Sequence, residues 1–238
     1  CDIPAGIPVA MSAEALVELD RVTVAHAQSE EPLVSDVTWR LMPGEFWVIT
    51  GDQGSGKTSL LLTMAGLQRP AAGTVRVRGR DVVSASEAEQ IEWRRRMGFV
   101  FESPGRLLHH LTVTENIALP LKYHGEPAAS ERVEQLLTES GLMPYAHYLP
   151  SRLSARLQHR VALVRALAYP TDVLFLDNPL GGLGPSGVRW WHEFIQQWRA
   201  RHPIAVVATA THSDEWAQLA DHHAALERGR LQISDGRN

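Results

Sequence analysis

The stretch Gly51-Asp52-Gln53-Gly54-Ser55-Gly56-Lys57-Thr58-Ser59 has the residue types and spacing to bind a polyphosphate. It satisfies G-x-x-x-x-G-K-[ST], directly after the apolar run Phe46-Trp47-Val48-Ile49 and directly before a helical pattern. Successive backbone N–H groups of such a loop point inward and cradle phosphate oxygens, and glycines let the backbone approach closely. Lys57 would reach the β- and γ-phosphates, and the Thr58 hydroxyl, next to Ser59, would ligate Mg²⁺. A second apolar run, Val173-Leu174-Phe175-Leu176, ends in Asp177, a carboxylate placed to hold Mg²⁺ through water. Together these residues predict a site for ATP with Mg²⁺.

Such groups need a rigid frame. Alternating apolar residues predict strands over 16–24 and 33–41, with a turn at Glu30-Glu31-Pro32. Further strands are expected at 46–49, 74–78, 97–101, 173–177 and 204–209, and a terminal hairpin turning at Arg228-Gly229. Helices are expected over 58–67, 154–168 and 185–201, with a short one at 214–219. Residues 114–140 read as helical, broken at Pro120 and at Gly125-Glu126-Pro127. Val188, Trp191, Ile195 and Trp198 form one apolar stripe, so these tryptophans are expected in the core. Strands alternating with helices predict an α/β fold of the P-loop NTPase type, with a mostly parallel core sheet and an inserted α-helical subdomain over about 103–168.

Composition narrows the partners. A net charge of −4 argues against a general nucleic-acid binder, though not against one local basic patch, and no nucleic-acid partner is expected. The single cysteine excludes an internal disulfide. No apolar run approaches the roughly 20 residues of a membrane-spanning helix, so any membrane part must come from another chain. Residues 1–10, rich in Pro, Gly and Ala, read as a cloning remnant or disordered leader before the domain at 11–238. The pairs His109-His110 and His222-His223 lack zinc-type neighbours and read as exposed loop histidines.

Between the two phosphate motifs lies Leu153-Ser154-Ala155-Arg156-Leu157-Gln158-His159-Arg160-Val161-Ala162-Leu163-Val164-Arg165-Ala166-Leu167. It resembles the signature helix of ABC-type ATPases, L-S-G-G-Q followed by Q-R-V-A-x-A-R-A-L, and the likeness runs from Glu14 onward. His212, after Ala208-Thr209-Ala210-Thr211, resembles that family's switch histidine, and Gly79-Arg80-Asp81-Val82 its usual turn. The resemblance implies an ABC-type ATPase domain with an antiparallel β subdomain. It also implies head-to-tail dimers in which each ATP lies between one chain's phosphate loop and the other's signature helix, acting on a membrane-spanning transporter subunit.

Departures from the pattern bear on hydrolysis. Asn178 stands where the resemblance implies a catalytic glutamate, and a neutral amide takes no proton from water. Ala155 and Arg156 replace the signature glycines, leaving Ser154; Leu157 replaces the glutamine. The loop Leu180-Gly181-Gly182-Leu183-Gly184 lacks the family's aspartate. Glu102 replaces the glutamine ending the mid-domain strand, and His26 stands in for the aromatic residue that stacks on adenine. Arg156 could act as an arginine finger or begin a solvated basic helix; Glu102 could ligate Mg²⁺ or replace the missing base.

The expected protein is therefore an ATP-binding ABC transporter subunit with weak hydrolysis, working as a homo- or heterodimer at the cytoplasmic face of the membrane. Alternatives are an ABC protein that uses ATP-dependent dimerisation as a regulatory clamp, and an active ATPase relying on Glu102 and Arg156. The segment Thr112-Val113-Thr114-Glu115-Asn116-Ile117-Ala118-Leu119-Pro120-Leu121 is similar to ATPases of bacterial lipid-transport and lipoprotein-release systems. The connection Glu102-Ser103-Pro104 and the helical insert are expected to meet the membrane subunit.

Overall fold

The computed structural model describes residues 14–26, 31–102 and 106–234. The expectations for residues 1–10, Glu30 and Ser103-Pro104 lie outside the described residues. Strands β1 (Val17–Ala25), β2 (Pro32–Leu41), β4 (Ala72–Val77) and β5 (Arg80–Asp81) form an antiparallel sheet in the order β2-β1-β4-β5. Strands β3 (Phe46–Thr50), β6 (Met97–Val100), β7 (Val173–Leu176), β8 (Ala205–Ala210), β9 (His222–Glu227) and β10 (Arg230–Ser234) form the second, in the order β10-β9-β3-β8-β7-β6. Every pairing in that sheet is parallel except β10 with β9.

The central strands are apolar on both faces because both faces are covered. Phe46, Val48, Leu174, Leu176, Val206 and Ala208 point into one core, shared with helices α3 (Val113–Tyr123), α4 (Ala129–Glu139), α5 (Ala155–Ala166) and α6 (Pro185–Arg201). Their neighbours Trp47, Ile49, Val173, Phe175, Ala205 and Val207 point into the other, shared with the antiparallel sheet and α1 (Lys57–Met64). Trp191 and Trp198 are buried in the first core, as the stripe on α6 implies. This architecture puts the C-terminal ends of β3, β6, β7 and β8 side by side, and the loops leaving those ends can share one site.

Four details differ from the sequence expectation. Helix α2 (Glu87–Arg95) lies where no element was assigned; Ser86 and Glu89 cap it reciprocally, a signal present in the sequence as Ser-x-x-Glu. Pro120 does not break α3, which runs through it to Tyr123. Its missing N–H removes one helical bond, but Val113, Ile117 and Leu121 bury the apolar face and hold the helix together. The helix expected over 214–219 is a 3₁₀ turn, Ser213–Trp216. His222 and His223 lie on β9 and are half-buried rather than in an exposed loop; His222 stacks on Trp47 at 4.5 Å. His109 and His110 are exposed in a turn, as expected.

Candidate nucleotide site

The phosphate-loop segment leaves β3 and enters α1 through Gly56, whose φ of 101° is left-handed. A Cβ there would come within 2.8 Å of Val34 Cγ2, so only glycine lets the loop close against β2. The Lys57 amine donates to the carbonyl oxygens of Gly51 and Asp52, so it lies folded over the loop. Burial lowers its pKa, opposed by the charges of Asp177, Glu102 and Asp52. Ser59 follows on the first turn of α1, half-buried, and Gly51 and Gly54 also adopt positive φ.

Asp177, at the end of β7, is 4% exposed and reaches across to α1. Its carboxylate oxygens lie 2.9 and 3.1 Å from Thr58 Oγ1, and Thr209 Oγ1 donates to it over 3.0 Å. Burial raises the Asp177 pKa, partly opposed by the Thr58 and Thr209 hydroxyls. Thr209 also accepts from the backbone N–H of Asn178 at 2.9 Å. Sequence reasoning missed Thr209; its signal was a hydroxyl residue inside the fully buried strand β8.

Asn178 takes a left-handed φ of 42°, turning its side chain towards β6. Its amide donates to Glu102 Oε1 over 2.7 Å. Gly181 lies beneath: a Cβ there would sit 2.8 Å from Asn178 Nδ2. His212, at the start of the Ser213–Trp216 turn, is held by its backbone N–H to Glu215 Oε1 at 3.0 Å. It lines a cavity of about 640 Å³ together with Gly51, Asp52, Ser55 and Arg228. Arg228 is a second residue sequence reasoning did not assign to the site.

Lys57, Thr58, Asp177, Asn178 and Glu102 thus converge, with His212 facing the same loop across the cavity. His26 follows β1 at the sheet end where Leu33 and Val34 approach Gly56, and is exposed. Ser154 and Arg156 are elsewhere. Ser154 caps α5 by accepting from the Leu157 N–H at 3.4 Å, and Arg156 donates to Ser186 Oγ at 2.9 Å, over Gly187 at the start of α6. Arg156 is exposed at the start of α5 and makes this bond at the surface.

The donor set fits Mg²⁺-ATP. Ser55 Oγ is buried at the loop without a hydrogen-bond partner among the described residues, a polar atom that a phosphate oxygen would satisfy. Thr58 and Asp177 offer hard oxygen ligands suited to Mg²⁺, whose charge would relieve the buried carboxylate. Among the described residues no cluster of His, Cys, Asp and Glu makes a separate metal centre.

The family model for ABC transporters matches residues 34–181, more than half of the chain. The chain belongs to the ABC transporter ATPase family. The lipoprotein-releasing system ATP-binding protein LolD of Maricaulis maris is 37% identical over 91% of this chain and 96% of its own length. The sulfate/thiosulfate import ATP-binding protein CysA of Caulobacter vibrioides is 40% identical over 84% of this chain and 59% of its own length. A solved dimer of the ATP-binding cassette MJ0796, bound to ADP and Pi, superimposes with a TM-score of 0.83 at 27% identity, covering 93% of this chain and 99% of that one. This ABC ATPase is thus an ATP-binding subunit of the transporter type, with a P-loop NTPase fold. No helix among its described residues is long and apolar enough to cross a membrane.

Proposed function

We propose that this ABC subunit binds Mg²⁺-ATP on Lys57, Thr58 and Asp177, closes against a second ABC ATPase domain, and passes that movement to a membrane-spanning subunit. The observation that carries this reading is the Thr58–Asp177 contact at 2.9 Å beside the folded-back Lys57 amine, a phosphate and metal site assembled from the start of α1 and the end of β7. The relatives named above are ATP-binding proteins of importing and lipoprotein-releasing systems, and the MJ0796 cassette is a dimer. Closure would present Ser154 to the partner's nucleotide. Ala155 and Arg156 crowd that approach, which slows turnover, and Asn178 itself offers no proton acceptor.

A groove of about 400 Å³ between β6, α3 and α5 is the place for the membrane subunit. Leu119, Pro120, Tyr123 and Arg165 line it, and Tyr123 is 78% exposed. This arrangement supports a peripheral position at the cytoplasmic membrane face. Equilibrium binding of Mg²⁺-ATP, and capture of a membrane protein by the tagged chain, test the reading. Wild-type protein is expected to do both, with Tyr123→Ala retaining nucleotide and losing the membrane protein. Absence of Mg²⁺-ATP binding would refute it.

A further inference from the structure

The resemblance to ABC-type ATPases implies a glutamine at position 102 and a glutamate at position 178, and this chain has Glu102 and Asn178 instead. Their placement ties the two changes together. Strands β6 and β7 run parallel with Val100 opposite Leu176, and the Asp177 N–H still donates to the Val100 carbonyl at 2.8 Å. Continuing that register by two residues sets Glu102 beside Asn178, and their side chains meet at 2.7 Å. The Glu102 charge also acts on both Asp177 and Lys57, so it lies near both.

We infer that amide and carboxylate have exchanged places across β6 and β7, so that Glu102 is the catalytic carboxylate for ATP hydrolysis and Asn178 is its positioning residue. This deepens the proposed function and rests on it. The left-handed backbone at Asn178 and its N–H bond to Thr209 fix the amide, and the amide in turn orients the Glu102 carboxylate. In the reaction, the water oxygen bonds to the terminal phosphorus of ATP as the water proton passes to Glu102. The bond from that phosphorus to the bridging oxygen breaks, and its electron pair leaves with ADP. Glu102 then releases the proton to solvent.

The test is single-turnover hydrolysis and, separately, equilibrium Mg²⁺-ATP binding, by wild type, Lys57→Ala, Glu102→Gln and the double variant Glu102→Gln/Asn178→Glu. Glu102 is exposed and glutamine is isosteric with it, so the single variant is expected to fold. Glu102→Gln should bind ATP like wild type and lose about 100-fold or more in turnover. ATP-bound dimers should accumulate in it on size-exclusion chromatography. The double variant, which returns a carboxylate to position 178 and an amide to 102, should recover to within about tenfold of wild type, a rescue that loss of mere structural support would not show. Wild-type turnover no faster than Lys57→Ala, unchanged turnover in Glu102→Gln, or no recovery in the double variant would each overturn the assignment while leaving ATP binding, and the proposed function, intact. Absence of ATP binding in the wild type would instead sink both.

Discussion

Lys57 and Thr209 show how differently single residues declare themselves. Lys57 sits in a motif whose spacing names its role, and its amine already rests among the loop carbonyls where phosphates would enter. Lys57→Ala should weaken Mg²⁺-ATP binding by about 10- to 100-fold, the worth of a charge-assisted hydrogen bond, as read by isothermal calorimetry. Thr209 belongs to no motif, yet its hydroxyl joins Asp177 to the Asn178 backbone. Thr209→Val leaves the Asn178 N–H without that acceptor and should lower stability by about 1–3 kcal/mol in urea denaturation, without touching the phosphate loop. The Asn178–Glu102 pair stands between these cases: both departures were visible in the chain, but only the side-chain contact makes them one feature.

At the scale of elements, patterning carried most of the assignment and failed where local signals conflicted. Period-two alternation located β1 and β2, and continuous apolar runs located β3 and β7, because the first pair is covered on one face and the second on both. Pro120 looked like a break because proline removes a backbone donor, but burial of one face of α3 outweighs one lost bond. Helix α2 was missed because it buries no residue and so shows no apolar stripe; its cap was the only signal. In the antiparallel sheet, β4 pairs with β1 through a register shift, and Gly73 takes φ 80° where a Cβ would collide with the Arg21 carbonyl oxygen. Gly73→Ala should cost about 2–4 kcal/mol, since both the backbone region and the space are closed to a side chain, and thermal denaturation would read it.

Across the whole molecule, Asp172 ties the layers together. It precedes β7 and receives Arg96 from the end of α2 at 2.7 and 2.9 Å, and Arg78 from the end of β4. Burial pushes its pKa up, but hydrogen bonds and charge from Arg96 and then Arg78 more than offset this and hold the carboxyl below its usual value. A carboxyl depressed on folding contributes stability above its unfolded pKa of about 3.9, and that contribution is lost as pH falls through the folded value. Asp172→Asn should therefore be less stable than wild type near neutral pH, with the two unfolding curves converging in acid. Equal stability at neutral pH would show that the three-residue link carries nothing.

The sequence by itself determined the phosphate-loop motif, the carboxylate that ends β7, the alternation of strands and helices, and the family resemblance. These are written in contiguous residues whose spacing is set by backbone periodicity and by the geometry of a phosphate. Tertiary structure decided which separate segments meet. It brought Thr58 to Asp177 across α1 and β7, set Glu102 against Asn178 through the register of β6 and β7, and drew Arg156 onto Ser186. Strand order and register arise from burying both faces of one sheet, a condition on the whole chain that no local run of residues records.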